Sequence, residues 1–314
     1  MPAVRACVSG VKSEADARCS AIAAKQFGLI TRRQALETGM SQKMVRKRLT
    51  AGWHSVLPGV IALPGAPEGW EQRIMAACLW MMPRGVAGGR SAAAIHDLQG
   101  HSKHFVELVS TSKRKPPSGV TVHVTQELSS SDIRIVNGIP VTNLERTLVD
   151  LASLIDREQL AIALDDALRR RVTHVIRLQQ RLDRMGTSGR KGAGMLMQLL
   201  SERNGMTAFP ESPLETRFFE FVHRWKLPQP RLQKRMRDER GRVARVDFFY
   251  PSAGLVIELE SFTWHSGRYA WERDLRRRNR MEATGLTVLH YTPGDLGRRQ
   301  FEMAREIRRL LAAG

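Results

Sequence analysis

The chain has 314 residues, and the 42% that are apolar suffice to bury cores, which excludes wholesale disorder. Its 50 Lys and Arg against 31 Asp and Glu give a formal net charge of +19, an excess that points to a polyanion and first of all to nucleic acid. Three cysteines without a Cys-x-x-Cys pair argue against a disulfide framework or a cysteine zinc site, and the lack of a long apolar run or apolar N-terminal core leads us to expect a cytoplasmic protein with no membrane partner.

The length suits two or three domains, the first over residues 1–66. Apolar spacing at Ile22, Ala23 and Phe27 predicts a helix ending at Gly28; Thr31 caps a second helix through Leu36, and Gly39 ends it. Ser41 caps a third, in which Met44, Val45 and Leu49 fall at core spacing while Lys43, Arg46, Lys47 and Arg48 lie mostly toward solvent. Short helix, glycine turn and basic helix is the pattern of a helix-turn-helix whose last helix enters the major groove of double-stranded DNA. The alternating stretch 53–65 would add a β-hairpin as a wing. The same spacing also fits a structural three-helix domain with a solvated basic face. The segments QFGLITRRQA at 26–35, RL at 48–49, GW at 52–53 and PGV at 58–60 resemble the N-terminal winged helix of AbiEi-type antitoxins. That resemblance implies promoter binding by this domain.

Residues 67–190 read as a mixed α+β middle domain, mostly helical. An apolar-periodic helix is predicted over 70–82, and Ser91 is placed to cap another through 100. Short alternating strands follow at 104–110, 119–125 and 132–142, then helices over 144–155, 157–170 and 170–182. His96, His101, His104 and His123 lack the paired spacing of a metal site and read as core or surface residues. The order SAA, GIPVTNLERTLVDLA, LDDALRR is similar to the middle part of AbiEi-like proteins. The run GTSGRKGAG at 186–194 reads as the linker to a last domain over 191–314.

That domain opens with a helix from Pro213, with Ser212 as N-cap and Glu215 at the third position of a capping box. Two strands then flank a turn at 251–254. In LVIELES, Leu255, Ile257 and Leu259 face one side and Val256, Glu258 and Glu260 the other. If the strands pair across the turn, Asp247 reaches the neighbourhood of Glu258. Carboxylates gathered in a half-buried setting repel, and a divalent cation resolves the conflict; an oxygen-only ligand set favours Mg²⁺ or Mn²⁺. Glutamates on an exposed face paired with arginines are the alternative.

The pattern Asp247-x10-Glu258-x-Glu260, after a helix carrying Glu215, resembles the restriction-endonuclease-like superfamily. More narrowly, RVDF at 245–248, LVIELE at 255–260, His265, ERDLRRRN at 272–279, Gly285 and VLHYT at 288–292 resemble the DUF559 family, relatives of the very-short-patch mismatch-repair endonuclease. The resemblance implies an α/β domain with a mixed sheet, Asp247 and Glu258 as metal ligands, Glu215 as the first-helix acid, and His265 as a group that polarises water or moves a proton. Glu260 stands where the superfamily usually has lysine, and Glu260-Ser261 replaces the family's usual Asp-Gly. Along the helix predicted over 269–285, Arg273, Arg277 and Arg280 share one side with Arg276 beside them, spaced either as a phosphate clamp or as a solvated face.

The expectation is thus an α/β multidomain protein: a winged helix-turn-helix, a mixed middle domain and a restriction-endonuclease-like domain, acting as a Mg²⁺-dependent DNA endonuclease. The rival is an antitoxin-like repressor, with a cognate toxin as partner, whose nuclease fold has lost catalysis. A basic proteome background would explain the charge without any partner. The sequence leaves oligomeric state open.

Overall fold

The computed structural model describes residues 14–187, 189–237, 243–260 and 285–313. It is a mixed α/β structure in two compact units that part after Leu154. The expected boundary at 66 lies inside the first unit, and the glycine-rich run at 186–194 lies inside the second.

The first unit begins with α1 (Glu14–Ala24), β1 (Leu29–Thr31), α2 (Arg32–Glu37), α3 (Gln42–Thr50) and the antiparallel hairpin β2 (His54–Leu57) and β3 (Val60–Ala62). Thr31 caps α2 through a full capping box with Gln34, and the Ser41 hydroxyl accepts from the Met44 amide. Both caps supply acceptors for amides that the first helical turn leaves without partners. β1 adds to the hairpin beside β3, giving the sheet order β1-β3-β2. Gly28, at φ 76°, turns the chain into β1 where an added Cβ would lie 2.4 Å from the Ala66 side chain. Cys19, Ile30, Ala35, Val45, Trp53 and Ile61 form the buried centre of this part.

There follow α4 (Trp70–Met81), β4 (Gly85–Ala87), α5 (Gly89–Ile95), β5 (Glu107–Ser110), β6 (Thr121–Val124), β7 (Ile133–Val136), β8 (Ile139–Thr142) and α6 (Leu144–Leu151). The strands form a mixed sheet in the order β6-β5-β4-β8-β7. Buried α4 runs against it, and its apolar cluster takes in Leu29, Val60 and Ala62, so β1 and β3 share a core with α4 and this sheet. Ser91 is not the cap expected of it. α5 starts two residues earlier, and the Ser91 hydroxyl donates to the Phe105 carbonyl and accepts from the Glu107 amide, both at 2.8 Å, which ties α5 to β5. The four histidines sit apart in chemical role: His96 Nε2 is 2.7 Å from the Thr142 carbonyl and His123 lies 3.4 Å from the Glu107 carboxylate.

The second unit comprises α7 (Arg157–Arg169), α8 (Val175–Met185), α9 (Ala193–Arg203), α10 (Pro213–Arg224), β9 (Arg231–Arg237), β10 (Val243–Tyr250), β11 (Leu255–Leu259), β12 (Thr287–Tyr291), α11 (Pro293–Arg298) and α12 (Gln300–Ala313). Its sheet runs β12-β11-β10-β9; β11 and β12 are parallel and the other neighbours antiparallel. The mixed sheet expected here is therefore present. Phe218, Phe221 and Val222 of α10 and Met303 and Ile307 of α12 pack on Phe248, Tyr250, Leu255 and Ile257. Behind α10 lies a buried ionic network. Arg203 is wholly buried and grips Asp165 through two bonds of 2.6 and 3.0 Å and Glu220 at 2.9 Å, while Arg157 reaches Glu220 at 2.7 Å.

Candidate active site

The acidic site is built by the β10–β11 hairpin. Gly254 closes its turn at φ 56°, where a residue with a Cβ would be strained, and the pairs Tyr250↔Leu255, Phe249↔Val256 and Phe248↔Ile257 fix the register. One step further along that ladder stand Asp247 and Glu258. Opposite residues of an antiparallel pair point to the same face with Cβ atoms about 5 Å apart. The alignment is reinforced by the Leu259 amide, which donates to Asp247 Oδ2 at 2.9 Å. Asp247 is half-buried and Glu258 nearly wholly so.

On the other side of β10 the ladder pairs Val246↔Lys234 and Phe248↔Leu232 but passes over Gln233, whose φ is 50°. The Gln233 side chain donates to Glu215 Oε2 at 3.2 Å. Glu215 itself is held at the start of α10: its amide donates to Ser212 Oγ at 3.1 Å, the Ser212 hydroxyl donates to Oε1 at 3.2 Å, and the Glu211 amide donates to Oε2 at 3.0 Å. The expected capping box is therefore shifted by one residue, since the carboxylate takes the Glu211 amide. Burial pushes the Glu215 carboxyl above its ordinary range, and the Asp247 charge adds to that against the pull of the donors. Glu215 of α10 thus lies close enough to Asp247 of β10 to feel its charge, and Glu258 of β11 stands one step beyond the last ladder pair, Phe248↔Ile257. Among the described residues no three His, Cys, Asp or Glu side chains converge as a ready-made metal cage. Two oxygen ligands on adjoining strands fit a cation that keeps several waters.

Glu260 does not join this group. β11 ends at Leu259, and Glu260 is exposed, its Oε1 2.8 Å from His290 Nδ1. His290, on β12 beside Glu258 in the parallel register, has a buried Nε2 with no hydrogen-bond partner among the described residues. It is a residue of this edge that sequence reasoning missed, because its one sequence signal was a place at the end of an apolar strand. His265 and Arg273, Arg276, Arg277 and Arg280 lie outside the described residues. Nearby, Arg245 forms a two-pronged pair with Glu211 at 3.0 and 2.8 Å.

On α3, Lys43, Arg46 and Lys47 are exposed, as expected. Arg48 is different. Its Nε donates to Asp16 Oδ1 at 2.8 Å and its Nη2 to Oδ2, a fork that clamps α3 to α1 and raises the Arg48 pKa. It belongs to the scaffold rather than to the solvent-facing basic set.

No family model matches the chain. Two proteins of Mycobacterium tuberculosis, the uncharacterized proteins MT2308 and Rv2248, each match it at 26% identity over 240 residues, covering 76% of this chain and 86% of theirs. The likeness therefore extends across most of both chains and is not confined to one unit.

Proposed function

We propose that the protein binds double-stranded DNA and that its second unit hydrolyses phosphodiester bonds with the help of Mg²⁺ or Mn²⁺. What supports the reading is the hairpin register, whose continuation by one step beyond Phe248↔Ile257 would bring Asp247 and Glu258 together, with Glu215 near enough to Asp247 to feel its charge. In this reading Asp247 and Glu258 hold the cation. When bound it would supply a polarised water and positive charge for the scissile phosphate. Glu215 and Gln233 brace the site from α10 and β9, and the Leu259 amide orients Asp247. The arginines of 273–280 would take the phosphate, with His265 as the proton-handling group. The first unit is read as a winged helix that lays Lys43, Arg46 and Lys47 of α3 along the duplex. Purified protein with plasmid and Mg²⁺ should nick it, and Asp247→Ala should not; equal nicking by that variant would sink the assignment.

A second reading, a repressor of the antitoxin type with a cognate toxin and a nuclease fold without catalysis, is favoured by one observation. Glu260, standing at the usual lysine position, turns to His290 and leaves the end of β11 without a cation from that residue. Sequence-specific binding with no cleavage under any divalent metal would decide for it.

A further inference from the structure

The parallel pairing of β11 with β12 sets an imidazole beside Glu258. In the register Val256↔Val288 and Glu258↔His290, the two valines pack in one apolar cluster. Two residues further along both strands, alternation brings Glu258 and His290 to that same face. Neighbouring strands lie about 4.8 Å apart, so one ion can bridge two such side chains. Glu258 is buried, at 8% exposure.

His290 is oriented through its other ring nitrogen. Nδ1 is 2.8 Å from Glu260 Oε1. A carboxylate accepts, so Nδ1 carries the proton and Nε2 of the neutral ring presents a lone pair. That Nε2 is buried and has no hydrogen-bond partner among the described residues. The histidine that ties α5 to β8 differs, since His96 Nε2 lies 2.7 Å from the Thr142 carbonyl. A buried polar atom without a protein partner calls for a water or an ion. A carboxylate on one ring nitrogen and a metal on the other is the usual arrangement of a ligating histidine, because the carboxylate fixes tautomer and orientation and raises ligand basicity.

We propose that His290 Nε2 is a nitrogen ligand of the cation held by Glu258, and that Glu260 positions it. The proposal rests on the metal-site reading above and decides between its two ions. Mg²⁺ keeps to oxygen and gives up water reluctantly, whereas imidazole is an ordinary ligand of first-row transition ions, so the site takes Mn²⁺ over Mg²⁺. Glu260 then serves the metal through His290 and not by a ligand bond of its own.

The test uses the full chain with MnCl₂ or MgCl₂ alone, followed by calorimetry and by the electron spin-echo modulation of bound Mn²⁺, which reports a directly coordinated nitrogen. Wild type should bind Mn²⁺ more tightly than Mg²⁺ and show nitrogen modulation. His290→Ala should lose both the modulation and the preference for Mn²⁺, with Mg²⁺ affinity changing far less. Glu260→Ala, at an exposed position, should lower Mn²⁺ affinity about 10–100-fold. Unchanged circular dichroism shows that the variants fold, and the wild-type signal needs no variant. Wild type that binds Mn²⁺ without nitrogen modulation, or with no preference over Mg²⁺, overturns this inference, as does modulation that survives in His290→Ala. Loss of Mn²⁺ binding in Asp247→Ala would then leave the acidic-site reading standing. Failure of the wild type to bind either ion overturns both.

Discussion

Replacing Arg48 by alanine separates scaffold from interface on the helix proposed to meet DNA. Arg48 holds Asp16 by two charge-assisted hydrogen bonds, and Asp16 is only 7% exposed. Such bonds are worth about 1.5–3 kcal/mol when buried. Because the Arg48 side chain is 32% exposed, solvent screening reduces this, and we expect a net loss of about 2 kcal/mol. For a unit of roughly 150 residues that corresponds to a fall in Tm of about 4–8 °C. Calorimetry reads this loss, and salt-dependent duplex binding reads the other half: Arg48→Ala should leave the salt slope unchanged, while Lys47→Ala should lower it by about 0.9 with little effect on Tm. Pairing Arg48→Ala with Asp16→Asn should give a coupling energy on the order of 1 kcal/mol or more. An Arg48→Ala protein with wild-type Tm and a reduced slope would refute the assignment of Arg48 to the scaffold.

Two further outcomes follow from buried charge in the second unit. Arg203→Met strands Asp165 and Glu220 beside one another without their shared partner, and should cost about 3–5 kcal/mol in a urea melt; a loss below about 1 kcal/mol would mean the network relaxes without it. Glu215 has a raised pKa in the fold, so the stability it gives is complete below its ordinary value of 4.5 and is lost as pH climbs through the higher folded value. In metal-free buffer, wild type should therefore lose ground to Glu215→Gln as pH rises above about 4.5, and less so in an Asp247→Asn background. A wild type that gains on Glu215→Gln over that range contradicts the sign.

Local signals carried most of what the sequence made legible. Thr31, Ser41 and Ser212 cap helices because a hydroxyl ahead of an apolar-periodic run is a short-range cue, and the four-residue turn at 251–254 was enough to pair the two strands and bring Asp247 to the Leu259 amide. Ser91 misled for the same reason: the cue was present, but Gly88 and Gly89 start the helix and the hydroxyl serves β5 instead. Partners far along the chain were out of reach. Nothing near Arg48 announces Asp16, thirty-two residues back, and nothing near Gln233 announces that its backbone would depart from the ladder. Alternation placed Glu260 with Glu258, yet alternation holds only while the strand lasts, and β11 stops at Leu259.

The buried grip of Arg203 on Asp165 also decides where the gene can be cut. A fragment starting at 191, the boundary that the glycine-rich run suggests, would keep Arg203 and Glu220 but discard Asp165 and Arg157. Its failure to express would then report a severed network and say nothing about the acidic site. A fragment starting at 155 keeps every member of the network together with α8. It is the piece on which the proposed phosphodiester hydrolysis should be assayed apart from the first unit.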